Sequence, residues 1–99
     1  MIRHFVLFKF KPATPASHFI ALKNDFLSMT AIPGVSAISF GETFTTDRNH
    51  GFSHVLLVDL ASKDALAEYS SHSMHMDIVV KSVRPYCEPN GVLAMDIVD

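Results

Sequence analysis

Ninety-nine residues fit one domain, and 48% hydrophobic against 18% charged side chains is greasy for a small monomer, which points to self-association. The formal charge of −2 comes from scattered groups, so there is no basic stripe for a phosphate backbone and nucleic acid is not an expected partner. No stretch approaches the ~20 apolar residues of a membrane span, and the N-terminal stretch, interrupted by Arg3, His4, Lys9 and Lys11, lacks a signal peptide's unbroken apolar segment. The lone Cys87 excludes an intrachain disulfide and fits a reducing compartment, so the expected location is cytoplasmic.

Ile2 to Phe10 reads as a strand closed by Lys11-Pro12. Its period of two puts Ile2, His4, Val6, Phe8 and Phe10 on one face and Arg3, Phe5, Leu7 and Lys9 on the other. Large apolar groups lie on both faces, so both need a cover. Thr14 before Pro15 predicts a helix N-cap, and Phe19, Leu22, Phe26 and Leu27 carry an amphipathic helix to about Ala31. Pro33-Gly34 turns the chain into a second strand, Val35 to Glu42.

After a polar loop, Phe52 to Leu60 predicts a third strand, with His54, Leu56, Val58 and Leu60 on one face and Val55 and Leu57 on the other. Ser62 caps a second helix whose stripe of Ala65, Leu66 and Tyr69 runs out near Ser70-Ser71, and a further helical piece covers Met74 to Val83. Pro85 and Pro89-Asn90-Gly91 break the chain before a last strand, Val92 to Val98. The order βαββαβ predicts a ferredoxin-like α+β domain over 1–99, with both helices on one face of a four-stranded antiparallel sheet. The simplest cover for the other face is a second copy of the chain.

The run Arg3 to Lys11, Ile32-Pro33-Gly34-Val35, Gly51-Phe52-Ser53-His54, and Tyr69 followed by His72 and His75 together resemble the stress-responsive A/B barrel family of dimeric α+β barrel proteins. The resemblance implies a homodimer whose sheets face each other. It covers a family that holds stress-associated proteins without a known reaction as well as the polyketide cyclase olivetolic acid cyclase. His4, His54, Tyr69 and His75 resemble that cyclase's pocket residues, whereas its helix-one tyrosine falls near Asp25.

A histidine of near-neutral pKa beside a tyrosine hydroxyl has the chemistry to remove a proton next to a carbonyl, with the hydroxyl holding the developing oxyanion. His75 and Tyr69 are the catalytic candidates, and His4 and His54 the substrate-binding ones, in an apolar cavity that needs no cofactor. A strand histidine is more often a satisfied structural group, which is the plainer reading for His4 and His54. His72 reads as a turn or capping residue, and His18 and His50 as surface residues.

His72, His75 and Asp77 have a spacing that one turn of helix would bring to a common ion, but a fourth ligand is missing and no metal is assigned. Cys87, with no histidine or basic neighbour in sequence, reads as buried. Two functional classes follow: a cyclase-like or isomerase-like protein acting on a small apolar carbonyl compound, or a non-catalytic stress or assembly protein whose function is the oligomer.

Overall fold

The computed structural model describes residues 1–99. Four strands, β1 (Ile2–Phe10), β2 (Val35–Glu42), β3 (His54–Leu60) and β4 (Cys87–Val98), form one antiparallel sheet in the order β2-β3-β1-β4. Helices α1 (Ala16–Ser28), α2 (Lys63–Ser71) and α3 (Ser73–Ile78) lie on one face, which makes the fold ferredoxin-like α+β. No helix is long and apolar enough to cross a membrane.

The period-two strands divide as their sequences predict. Ile2, Val6 and Phe8 of β1 and Leu56, Val58 and Leu60 of β3 are buried under the helices, against Leu22 and Phe26 of α1 and Ala65 and Tyr69 of α2. On the outer face the register pairs Phe5 with Leu57 and Met95, and Leu7 with Val55 and Leu93. Nothing in the chain covers this apolar surface, and Met95 and Ile97 are 60% and 49% exposed.

Local chemistry sets the boundaries. Ser62 caps α2, its hydroxyl accepting from the Ala65 N–H at 3.1 Å. Gly34 turns the chain at φ +89°, and a Cβ there would lie 2.6 Å from that of Ala65, so the turn is packed directly on α2.

Thr14 does not cap α1. Pro15 itself is extended, at φ −73° and ψ 152°, so it is the last residue outside the helix, and its carbonyl accepts from the His18 N–H at 3.0 Å. Pro15 is therefore the N-cap, and the Thr14 hydroxyl is buried without a partner. The helix also ends earlier than its apolar stripe predicts, passing into a 3₁₀ turn over Met29–Ala31.

Three further boundaries differ from the sequence reading, the first being β3, which starts at His54 rather than Phe52. The predicted helix Met74 to Val83 is α-helical only through Ile78, continues as a π-helical turn over Val79–Val83, and closes in a 3₁₀ turn over Arg84–Tyr86. β4 starts at Cys87 rather than Val92, because Pro89-Asn90-Gly91 does not break the strand. Instead the segment bulges: Asn90 takes φ 57°, the register with β1 shifts between Phe8 and Phe10, and a Cβ on Gly91 would lie 2.7 Å from the Glu88 carbonyl oxygen.

Candidate functional site

A cavity of about 340 Å³ lies between the helix layer and the β1–β4 half of the sheet. Its floor is His4, Val6 and Phe8 of β1 with Val92 and Ala94 of β4. Tyr69 and Ser70 of α2, His75 of α3, and Val79, Val83 and Arg84 of the segment that follows form the roof. The π-helical turn supplies two of those roof residues, a common placement for such irregular turns at functional sites.

Tyr69 is fully buried, and its hydroxyl has no hydrogen-bond partner. Burial pushes the phenol well above its ordinary value of 10.0, so it stays protonated throughout the neutral range. The His75 ring centroid lies 4.7 Å from that of Tyr69. His75 Nδ1 is 2.9 Å from the Ser70 carbonyl oxygen. A carbonyl only accepts, so Nδ1 carries the hydrogen and the neutral ring keeps an unprotonated Nε2. Burial holds His75 below the usual 6.5; the Ser70 hydrogen bond opposes that shift and the nearby His4 adds to it.

His4 stands edge-on to Tyr69 at 5.9 Å between centroids. Its Nδ1 donates to the Asp96 carboxylate, which sits opposite it on β4. Asp96 was not among the sequence candidates. The signal that finds it is register: once β1 and β4 are paired antiparallel, His4 meets Asp96, Val6 meets Ala94 and Phe8 meets Val92.

His54 is not brought to this cavity. It is buried between Phe19, stacked at 4.2 Å, and Phe40, at 5.6 Å, with its Nδ1 2.7 Å from the Ser53 hydroxyl. Facing Phe8 across the β1–β3 pair, it lies two rungs beyond Leu56 and four beyond Val58, the residue that faces His4. Burial lowers its pKa while Glu42 pulls the other way.

The remaining polar candidates sort by partner. His72 caps α3, its Nδ1 accepting from the Met74 N–H at 3.1 Å, which agrees with the capping reading. With that ring turned to the backbone, Asp77 exposed and His75 in the cavity wall, no three metal-ligating side chains converge there or elsewhere. His18 is not a free surface residue: its ring stacks on Tyr86 at 3.6 Å and its Nε2 donates to the Ser82 carbonyl at 2.8 Å. His50 is exposed, and so is Asp25, whose neighbour Phe26 turns an apolar ring to the cavity. Cys87 is buried, and burial pushes its thiol up to about 11 against the pull of Lys11.

The chain belongs to the stress-responsive A/B barrel domain family, which matches residues 2–99. It is similar to a stress-response A/B barrel domain-containing protein of Arabidopsis thaliana, 30% identical over 96 residues. That match covers 97% of this chain but 36% of the plant protein, so the chain spans about a third of that relative's length.

Among solved structures, the At3g17210 protein of Arabidopsis thaliana superposes with a TM-score of 0.88 at 21% identity, covering 100% of this chain and 95% of that one. A hydroxynitrile lyase from Passiflora edulis gives 0.84 at 17% identity, covering 99% and 92%. A dimeric ferredoxin-like protein from Thermobifida fusca gives 0.82 at 18% identity, covering 98% and 89%.

Two histidines with lowered pKa make stability depend on pH. Between the folded values, below 6.5, and the unfolded value near 6.5, the unfolded chain binds more protons, so stability falls as pH drops through that window. Thermal melts should show a falling Tm from pH 7 towards pH 5, with a shallower fall in His75→Gln than in wild type.

Proposed function

We propose that this chain is a cofactor-independent acid–base protein that takes a small apolar carbonyl compound into the cavity and moves a proton beside the carbonyl, as a polyketide cyclase or an isomerase does. The observation that carries the reading is the Tyr69 hydroxyl, buried in a cavity wall with no protein partner beside a histidine with a free Nε2. An unpaired buried hydroxyl costs about 1–3 kcal/mol. A ligand oxygen that accepts from it removes that cost.

In this mechanism His75 Nε2 takes a proton from the carbon next to the carbonyl. The C–H electron pair forms the carbon–carbon double bond of an enolate while the carbonyl π pair moves onto oxygen, and the Tyr69 O–H donates a hydrogen bond to that oxygen. The high pKa of Tyr69 makes it a donor that keeps its proton. The proton held by His75 returns to the product at a different atom. His4, fixed by Asp96, orients the substrate. His54 takes no part, because its ring is enclosed by aromatic residues outside the cavity. That a hydroxynitrile lyase shares the fold supports catalysis as one use of it.

The test is hydrogen–deuterium exchange at the carbon beside the carbonyl of valerophenone, followed by NMR in heavy water. Wild type should accelerate exchange above buffer, His75→Ala should lower the rate by about 10²–10⁴ and Tyr69→Phe by about 10². Binding of the ketone with exchange no faster than in buffer would contradict the mechanism.

The active form on this reading is a cytoplasmic homodimer whose two apolar sheet faces cover each other. The uncovered face around Phe5, Leu57 and Met95 and the dimeric state of a protein with the same fold support it. Sedimentation at micromolar concentration should give twice the chain mass of 11.0 kDa for wild type and the single mass for Leu57→Asp. Single-chain mass for wild type would remove the dimer.

A second reading, an assembly protein, draws on Ile20, Met76 and Val80, which are exposed on the helix layer. It requires species larger than the dimer in the same run.

A further inference from the structure

We infer that the ligand of this cavity carries a carboxylate and that Arg84 binds it at the mouth. The inference rests on the reading of the cavity as a ligand site and adds the class of compound. Arg84 is the one permanently cationic side chain among the lining residues. It is exposed, and no carboxylate of the chain lies within 4.0 Å of it.

Other cations near the sheet are already engaged. Arg3 pairs with Asp59 at 3.0 Å, the Lys9 ammonium sits 4.6 Å above the Phe52 ring, and Lys11 donates to the Pro85 carbonyl at 3.1 Å. Lys11 also belongs to a shallow depression that continues outward from the cavity and shares Arg84 and Val92 with it. Two cations there face a single acid, Glu88, so the ledge outside the mouth favours an anion.

The strand register sets the direction of the ligand. Val92, which the cavity shares with the Arg84 ledge, faces Phe8, whereas Asp96 faces His4. Four residues of strand separate the two positions, roughly 13 Å. The anion-binding end and the proton-transfer end therefore lie at opposite ends of an apolar channel floored by Val6 and Ala94 and roofed by Val79 and Val83. The matching compound is a keto acid whose carbonyl and carboxylate are separated by several apolar carbons. The planar guanidinium fork suits a carboxylate, with two parallel N–H donors for two oxygens.

Benzoylbutyrate and valerophenone test this as a pair, since they share an aryl ketone and differ by a terminal carboxylate in place of a methyl. Titration calorimetry on the full chain should give benzoylbutyrate a Kd roughly fivefold tighter than that of valerophenone, a preference in keeping with one half-exposed charge-assisted pair. Arg84→Gln should abolish the preference and leave the valerophenone Kd unchanged, which also shows that the variant is folded. Arg84→Lys should retain part of it.

Equal affinities in wild type, or a preference that survives Arg84→Gln, would overturn the role of Arg84 and leave the cavity reading intact. Failure of both compounds to bind would remove the cavity reading and the Arg84 role together.

Discussion

Everything at this site depends on burying a tyrosine hydroxyl without a partner beside a half-buried histidine. In a close-packed core that arrangement is destabilising, since an unpaired buried hydroxyl gives up its hydrogen bonds to water. Tyr69 projects from α2 with its ring packed against the sheet, and it lines the cavity with its hydroxyl unpaired. The same burial lowers the proton affinity of His75 and raises that of Tyr69, so one environment pushes two neighbouring groups in opposite directions.

The scaffold achieves this with a central strand that has two jobs. β1 carries Ile2, Val6 and Phe8 into the core and places His4 among them, a polar residue at a core-facing position. Antiparallel pairing with β4 then supplies Asp96 as the partner that orients His4. At the other end of the chain's helical run, the π-helical turn over Val79–Val83 brings two valines and Arg84 over the same cavity. The apolar outer face of the same strand, with Phe5 and Leu7, is the surface that draws a second copy in the proposed dimer.

Much of this was legible in the sequence because it rests on local periodicity. Alternation in β1 and β3 gave the two apolar faces, and the serine before a helical stripe gave the cap of α2. Tyr69 and His75 could be placed together because they sit on consecutive short helices on the core side. What stayed hidden was non-local. Asp96 needs strand register, and Arg84 needs the course of an irregular turn that no sequence pattern announces. The bulge in β4 hid half a strand behind Pro89-Asn90-Gly91, a run that ordinarily marks a break. His54 misled for a related reason: it lies on the face predicted for it, but a shared face does not bring it to a cavity several residues away along the sheet.

The protonation of His75 decides the account most directly, and NMR of its side-chain nitrogens across a pH titration reads it. In the proposed mechanism the ring is neutral at pH 7 with its hydrogen on Nδ1, and its titration midpoint lies below 6.5. A midpoint at or above 6.5, or a neutral ring with its hydrogen on Nε2, would leave the cavity without its base and contradict it.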